Sequence, residues 1–162
     1  MDFGRGFNMA FMHPEDIENY KHTGSELKLY EALRDQLPAK DHVFFSVRWF
    51  DKVDGARVDS ECDFLVFDPS FGFLTIECKG GTDITIENNH WTLSEKDEAG
   101  NSSKRELKKS PFAQAENSMR YFYDFFSNEF LQSFNGVYGF AVAFPNYVVN
   151  QKVESAAEQE LI

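Results

Sequence analysis

Two acids and a lysine stand where one short hairpin would gather them. Asp63–Asp68 (DFLVFD) is apolar between acidic ends, as expected of a strand covered on both faces; Pro69-Ser70-Phe71-Gly72 reads as a turn, and Phe73–Lys79 (FLTIECK) as the returning strand. With residues 69–71 as the loop, Asp63 falls directly opposite Glu77, and such cross-strand neighbours have Cβ atoms roughly 4.5–5.5 Å apart. Lys79 lies two residues beyond Glu77 and projects from the same face. The same pattern describes an edge salt bridge, and a register slip of one residue would dissolve it.

Glu26 is the third acid. In a helix at about 100° per residue, Leu29, Tyr30, Leu33 and Leu37 fall within about 60° of its direction, so it sits in the stripe that must face a sheet. A buried, unpaired carboxylate there costs several kcal/mol, about 2 or more. The plainer reading is that Glu26 completes a capping box with Thr23. Both hold together if the helix begins at the rim of the sheet.

These residue types fit hydrolysis of a phosphodiester, which needs a hard cation on oxygen ligands, stabilisation of phosphate charge and an activated water. Asp63 and Glu77 are the expected ligands of Mg²⁺ or Mn²⁺, with Glu26 completing the shell or orienting water. Lys79 is expected to orient or deprotonate the water, or to screen the phosphate.

Around these residues the chain alternates helix and strand signals. Thr23-Gly24-Ser25-Glu26 opens an amphipathic helix to Leu37, stopped by Pro38. His42–Phe50 alternates as a strand, and Lys52–Ala56 contains an Asp-Gly turn. After Gly80-Gly81, Thr82–Glu87 and His90–Leu93 predict a further hairpin, while Glu95–Lys109 is polar and loop-like. Ser110-Pro111 starts a second helix, with Phe112, Ala115, Met119, Phe122 and Phe126 on one face. Tyr138–Phe144 (YGFAVAF) reads as a last buried strand. The expectation is an α/β fold with a mixed central sheet flanked by helices: an irregular extension over 1–22, one domain over 23–150, and an acidic tail over 151–162.

The 162 residues are 42% hydrophobic and include 18 Phe, enough for one buried core and too many for a disordered chain. No run of eighteen apolar residues and no leader sequence is evident, so a cytoplasmic protein without a membrane partner is expected. The net charge of −11 opposes sequence-independent binding to long DNA, which needs an excess of Lys and Arg. A carboxylate cluster that loads divalent cations contributes to that count, and bound metal reverses the local sign. The dense basic run Lys104, Arg105, Lys108 and Lys109 could bring phosphate toward the start of the second helix; a solvated loop is the plainer reading. Cys62 and Cys78 also fall opposite each other in the hairpin, where two buried thiols are expected over a disulfide. His13, His22, His42 and His90 have no ligand spacing. The Phe-rich Tyr121–Phe130 exceeds one helical stripe and could cover a partner, although plain core accounts for it.

Read in order, Gly24-Ser25-Glu26, Glu61-Cys62-Asp63-Phe64-Leu65-Val66, Phe73-Leu74-Thr75-Ile76-Glu77-Cys78-Lys79-Gly80, His90-Trp91 and Pro111-Phe112-Ala113-Gln114-Ala115 resemble the nuclease-related domain family, NERD, from about Gly24 to Pro145. That family belongs to the restriction-endonuclease-like superfamily with its D…E-x-K signature. The resemblance implies a metal-dependent nuclease fold, acting on DNA ahead of RNA, with Glu26, Asp63, Glu77, Lys79 and Gln114 as its site. Gln114 enters through the resemblance; it lies some 100° off the apolar face of its helix, where a surface amide is the default. Its first-turn position would suit a grip on a phosphate or a water. Such domains often adjoin helicase or kinase domains, which implies the alternative of a catalytically weak module in a larger protein. Cys62 replaces the superfamily's usual proline before the first acid.

Overall fold

A computed structural model describes residues 9–88, 90–96, 99–129 and 134–147. Five strands form the main sheet: β1 (Phe11–His13), β2 (His42–Val53), β3 (Ala56–Asp68), β4 (Gly72–Cys78) and β8 (Val137–Ala143), in spatial order β1-β2-β3-β4-β8. The centre is an antiparallel meander, and the two edge strands run parallel to their neighbours. A smaller antiparallel sheet holds β5 (Asp83–Glu87), β6 (His90–Lys96) and β7 (Ser102–Glu106). Helices α1 (Gly24–Gln36) and α2 (Pro111–Glu129) complete the described elements.

Alternation along the central strands sorts the core into two layers. Val43, Phe45, Phe64 and Ile76 point to the side where Tyr30, Leu29 and Leu33 of α1 pack. Leu65 and Phe73 point to the other, against Phe122, Met119 and Phe126 of α2. The mixed sheet is thus covered by one helix on each face. The Thr75 hydroxyl donates to the Ala115 carbonyl at 2.9 Å, a buried tie that fixes α2 over β4.

The alternation reverses once. Phe44 and Leu65 face α2, yet so do Val47 and Cys62, an odd number of residues away along each strand. The ladder passes from Phe45↔Phe64 to Val47↔Cys62 without pairing Ser46 to Asp63, and Ser46 takes φ 54°. This paired kink leaves Asp63 at a break in the ladder. It also corrects the expectation that Cys62 and Cys78 face each other: Cys62 packs in the α2 layer and Cys78 in the α1 layer, both as free thiols.

Other expectations change at the edges of elements. Residues 11–13, expected to be irregular, pair with β2 as β1. The strand expected from Asp63 begins at Ala56, because Asp54-Gly55 (φ 51° and 80°) close a two-residue turn of the type that suits a hairpin. Within the expected loop Glu95–Lys109, β7 forms although all five of its residues are exposed; pairing with β6 makes it, not an apolar face. The last strand is half-exposed at the sheet edge, with Val137 71% accessible, and is not buried as expected. Phe130 and the tail after Asn150 lie outside the described residues. No helix among the described residues is long and apolar enough to cross a membrane.

Candidate functional site

The β3–β4 hairpin has the expected register. Phe64 pairs with Ile76 and Phe67 with Phe73, which sets Asp63 against Glu77 just past the last paired residues. There the Asp63 side chain takes over from the ladder: its Oδ2 accepts the Cys78 backbone N–H at 2.8 Å. Glu77 is only 6% exposed, and its Oε1 accepts from Lys79 Nζ at 2.5 Å. The Lys79 backbone N–H donates to the Ala143 carbonyl at 2.9 Å, so β8 secures the end of β4 that carries both residues.

Burying two acids together makes ionisation of both unfavourable. Burial pushes the Asp63 carboxyl up to about 7, and the charge of Glu77 adds to the effect against the Cys78 N–H and Lys79. Burial likewise raises Glu77, opposed chiefly by Lys79. The Cys62 and Cys78 thiols are pushed up to about 12, first by desolvation and then by the neighbouring carboxylates.

Asp63 and Glu77 open into a cleft of about 300 Å³ between the sheet and α2, which Gln114, Ser118, Trp49 and Lys109 also line. Gln114, in the first turn of α2, thus lines the same cleft as the acids. Its backbone N–H donates to the Ser110 carbonyl at 3.1 Å, which sets the start of the helix. Asn117 and Ser118 line the same cleft and had not been singled out as site residues. The signal for them was present: with Gln114 they form a polar stripe at spacings of three and four on a helix whose other face is apolar. Of the basic run, Lys109 alone lines this cleft; Lys104 and Arg105 belong to β7, where Arg105 pairs with Glu95 at 3.1 Å, and Lys108 is exposed.

Glu26 comes from the opposite layer, over the rim. Gly80 makes the approach possible, since a Cβ there would lie 3.1 Å from the Ser25 hydroxyl. Ser25 is buried and accepts from the Asn146 amide at 2.8 Å. Glu26 is close enough for its charge to raise Asp63 and Glu77. Its carboxylate is nonetheless turned to its own helix, accepting the Thr23 N–H at 2.5 Å, while the Thr23 hydroxyl accepts the Glu26 N–H at 3.2 Å. In this arrangement the Glu26 carboxylate is engaged by its cap and does not join Asp63 and Glu77. Among the described residues no three His, Cys, Asp or Glu side chains form a group that could hold a metal ion. Asp63 and Glu77 by themselves still suit a hard divalent cation, which commonly takes one or two carboxylates and completes its shell with water.

A mixed sheet with a helix on each face and an acid–acid–lysine set on its central hairpin defines a restriction-endonuclease-like α/β domain. The model of the nuclease-related domain family matches residues 21–148, and the chain belongs to that family. Neither the curated proteins nor the solved structures yield a match to this chain.

Proposed function

We propose that this domain is a metal-dependent phosphodiester hydrolase acting on DNA. The observation that carries the reading is the burial of Asp63 and Glu77 side by side, with Asp63 raised to about 7 and Lys79 as the ammonium in contact. Two carboxylates buried side by side are costly to ionise together, and a bound cation would offset that cost.

Asp63 and Glu77 would hold Mg²⁺ or Mn²⁺, which when bound supplies countercharge and polarises the phosphate. Lys79, held by Glu77, would orient the attacking water and screen the phosphate as an ammonium. The Gln114 amide donates to a phosphate oxygen from the first turn of α2, where the helix dipole also favours an anion. Lys109 supplies a further positive charge to the same cleft.

The test is cleavage of single- and double-stranded DNA and RNA with and without Mg²⁺ or Mn²⁺. Asp63→Ala and Lys79→Ala should each lower the metal-dependent rate by at least about a hundredfold. Metal-dependent cutting that survives either change refutes the site. A second reading, a catalytically silent binding module, is favoured by the turn of Glu26 into its cap and by the net charge of −11. Calorimetry separates the two: no heat with millimolar Mn²⁺ supports the silent module.

A further inference from the structure

Beyond the kink at Ser46 and Asp63, β2 and β3 continue as a two-stranded arm closed by Asp54-Gly55. The register gives the arm two distinct faces. Val47, Trp49 and Cys62 turn toward α2, where Trp49 stacks on Tyr121 with ring centroids 4.3 Å apart. On the other face Arg48 lies opposite Glu61, Phe50 opposite Asp59, and Lys52 opposite Arg57. Phe50 is 60% exposed, and the Arg57 guanidinium lies over its ring at 4.8 Å.

A cleft of about 570 Å³ runs along the arm and shares Trp49, Asp59, Ser60 and Glu61 with the cleft that holds Asp63 and Glu77. The two clefts adjoin along these four residues, between an exposed aromatic ring and the paired acids.

The chemistry of this face selects its occupant. Charged side chains hold five of its six paired positions, which disfavours the apolar centre of a protein interface, where charge is depleted. Its three cations outnumber its two carboxylates in a chain whose net charge is −11. The ion pairs Arg48–Glu61 at 3.2 Å and Arg57–Asp59 at 2.7 Å are exposed and individually weak, so phosphates can draw the guanidinium groups away. An exposed phenyl ring flanked by arginines offers a stacking surface to a flat aromatic ligand. Bases in a duplex are already stacked and paired, so only an unpaired strand can use it.

We infer that the β2–β3 arm binds single-stranded nucleic acid, stacking a base on Phe50 and holding flanking phosphates with Arg48 and Arg57, and leads the strand to Asp63 and Glu77. The inference rests on the hydrolase reading for what happens at the end of the path, but the binding itself needs no catalysis.

The test uses the full chain in EDTA, where no metal-dependent cleavage occurs. A fluorescein-labelled oligothymidylate, and the same strand annealed to its complement, are titrated by fluorescence anisotropy, with an oligouridylate in parallel. The single strand, as DNA or RNA, should bind at least about tenfold tighter than the duplex. Phe50→Ala should weaken single-strand binding by about tenfold, and Phe50→Tyr should preserve it. Arg48→Ala and Arg57→Ala should each reduce the slope of log affinity against log salt by about 0.7. Circular dichroism melts confirm that each variant is folded. Equal affinity for single strand and duplex, or unchanged affinity of Phe50→Ala, overturns the inference. Phe50-dependent binding by a chain that never cleaves would uphold the arm and sink the hydrolase. Metal-dependent cleavage with an unchanged KM in Phe50→Ala would do the reverse.

Discussion

Asp63 reaches across the end of its hairpin to Cys78: where the β3–β4 ladder stops, its Oδ2 accepts the Cys78 N–H at 2.8 Å. The bond fixes the carboxylate beside Glu77, and burial there lifts Asp63 to about 7. Because the folded value lies above the unfolded value near 4, the native state binds the proton more tightly. The contribution of Asp63 to the stability of the metal-free protein is therefore fully present below about pH 4, is lost as pH rises through about 7, and then levels off. Asp63→Asn keeps an acceptor for the Cys78 N–H and removes the charge. It should raise the melting temperature by about 3 °C or more at pH 8 and change little at pH 4. Mn²⁺ should raise the melting temperature of the native protein at pH 8 but not that of the variant.

Lys79 is the other half of this balance. Its side chain is 18% exposed and that of Glu77 7%, so the pair is largely shielded from water. Removing one partner leaves a buried charge alone, whereas removing both does not. Lys79→Met should cost about 3 kcal/mol in urea unfolding at neutral pH, and adding Glu77→Gln should restore most of the loss. Equal losses in the single and double variants would show that Glu77 gains little from its lysine.

Legibility in the sequence followed physical locality. The hairpin register was readable because Pro69-Ser70-Phe71-Gly72 fixes the turn and two-residue alternation does the rest. The starts of both helices were readable because Thr23, Glu26, Ser110 and Pro111 act on their own backbone. What lay hidden depended on distant partners. β1 exists through its pairing with His42–Phe44, and β7 through its pairing with β6. The reversal at Ser46 placed Cys62 and Cys78 on opposite faces, and nothing local to Ser46 announces a positive φ. The position of Glu26 could be inferred from its helix, but the competition between its cap and the site required the rim geometry set by Gly80 and Ser25.

That reversal has a chemical consequence. Cys62 and Cys78 lie in different core layers, and both thiols are pushed up to about 12. Thiolate is the reactive form, so neither should react readily with Ellman's reagent in the native protein. Both should react once guanidinium unfolds the chain. Oxidant treatment should leave the native monomer without an intramolecular disulfide, seen as an unchanged mass after alkylation under denaturing conditions.

Gly72 marks where β4 meets β8. It has φ 146°, and a Cβ there would lie 1.7 Å from the Val137 carbonyl oxygen, backbone that cannot step aside. Gly55 has φ 80° but open space around it. Gly72→Ala should cost more than about 3 kcal/mol, and Gly55→Ala about 1 kcal/mol, in equilibrium unfolding. β8 also holds the Lys79 N–H, so Gly72→Ala should weaken Mn²⁺ binding as well. Comparable losses at the two glycines would mean that β8 moves away freely.

The last prediction separates the two roles of Glu26. In the cap, Thr23 and Glu26 each satisfy a backbone N–H of the other, so Thr23→Ala and Glu26→Gln should each cost about 1 kcal/mol of stability. If Asp63 and Glu77 alone are the protein's metal ligands, Glu26→Gln should change Mn²⁺ affinity by no more than a few-fold (about 3), as Thr23→Ala should. Asp63→Asn should abolish binding. Should Glu26→Gln match the loss seen for Asp63→Asn while Thr23→Ala leaves affinity intact, the carboxylate must leave its cap when metal arrives. The ligand set would then be three acids, assembled by the ion at the expense of the first turn of α1.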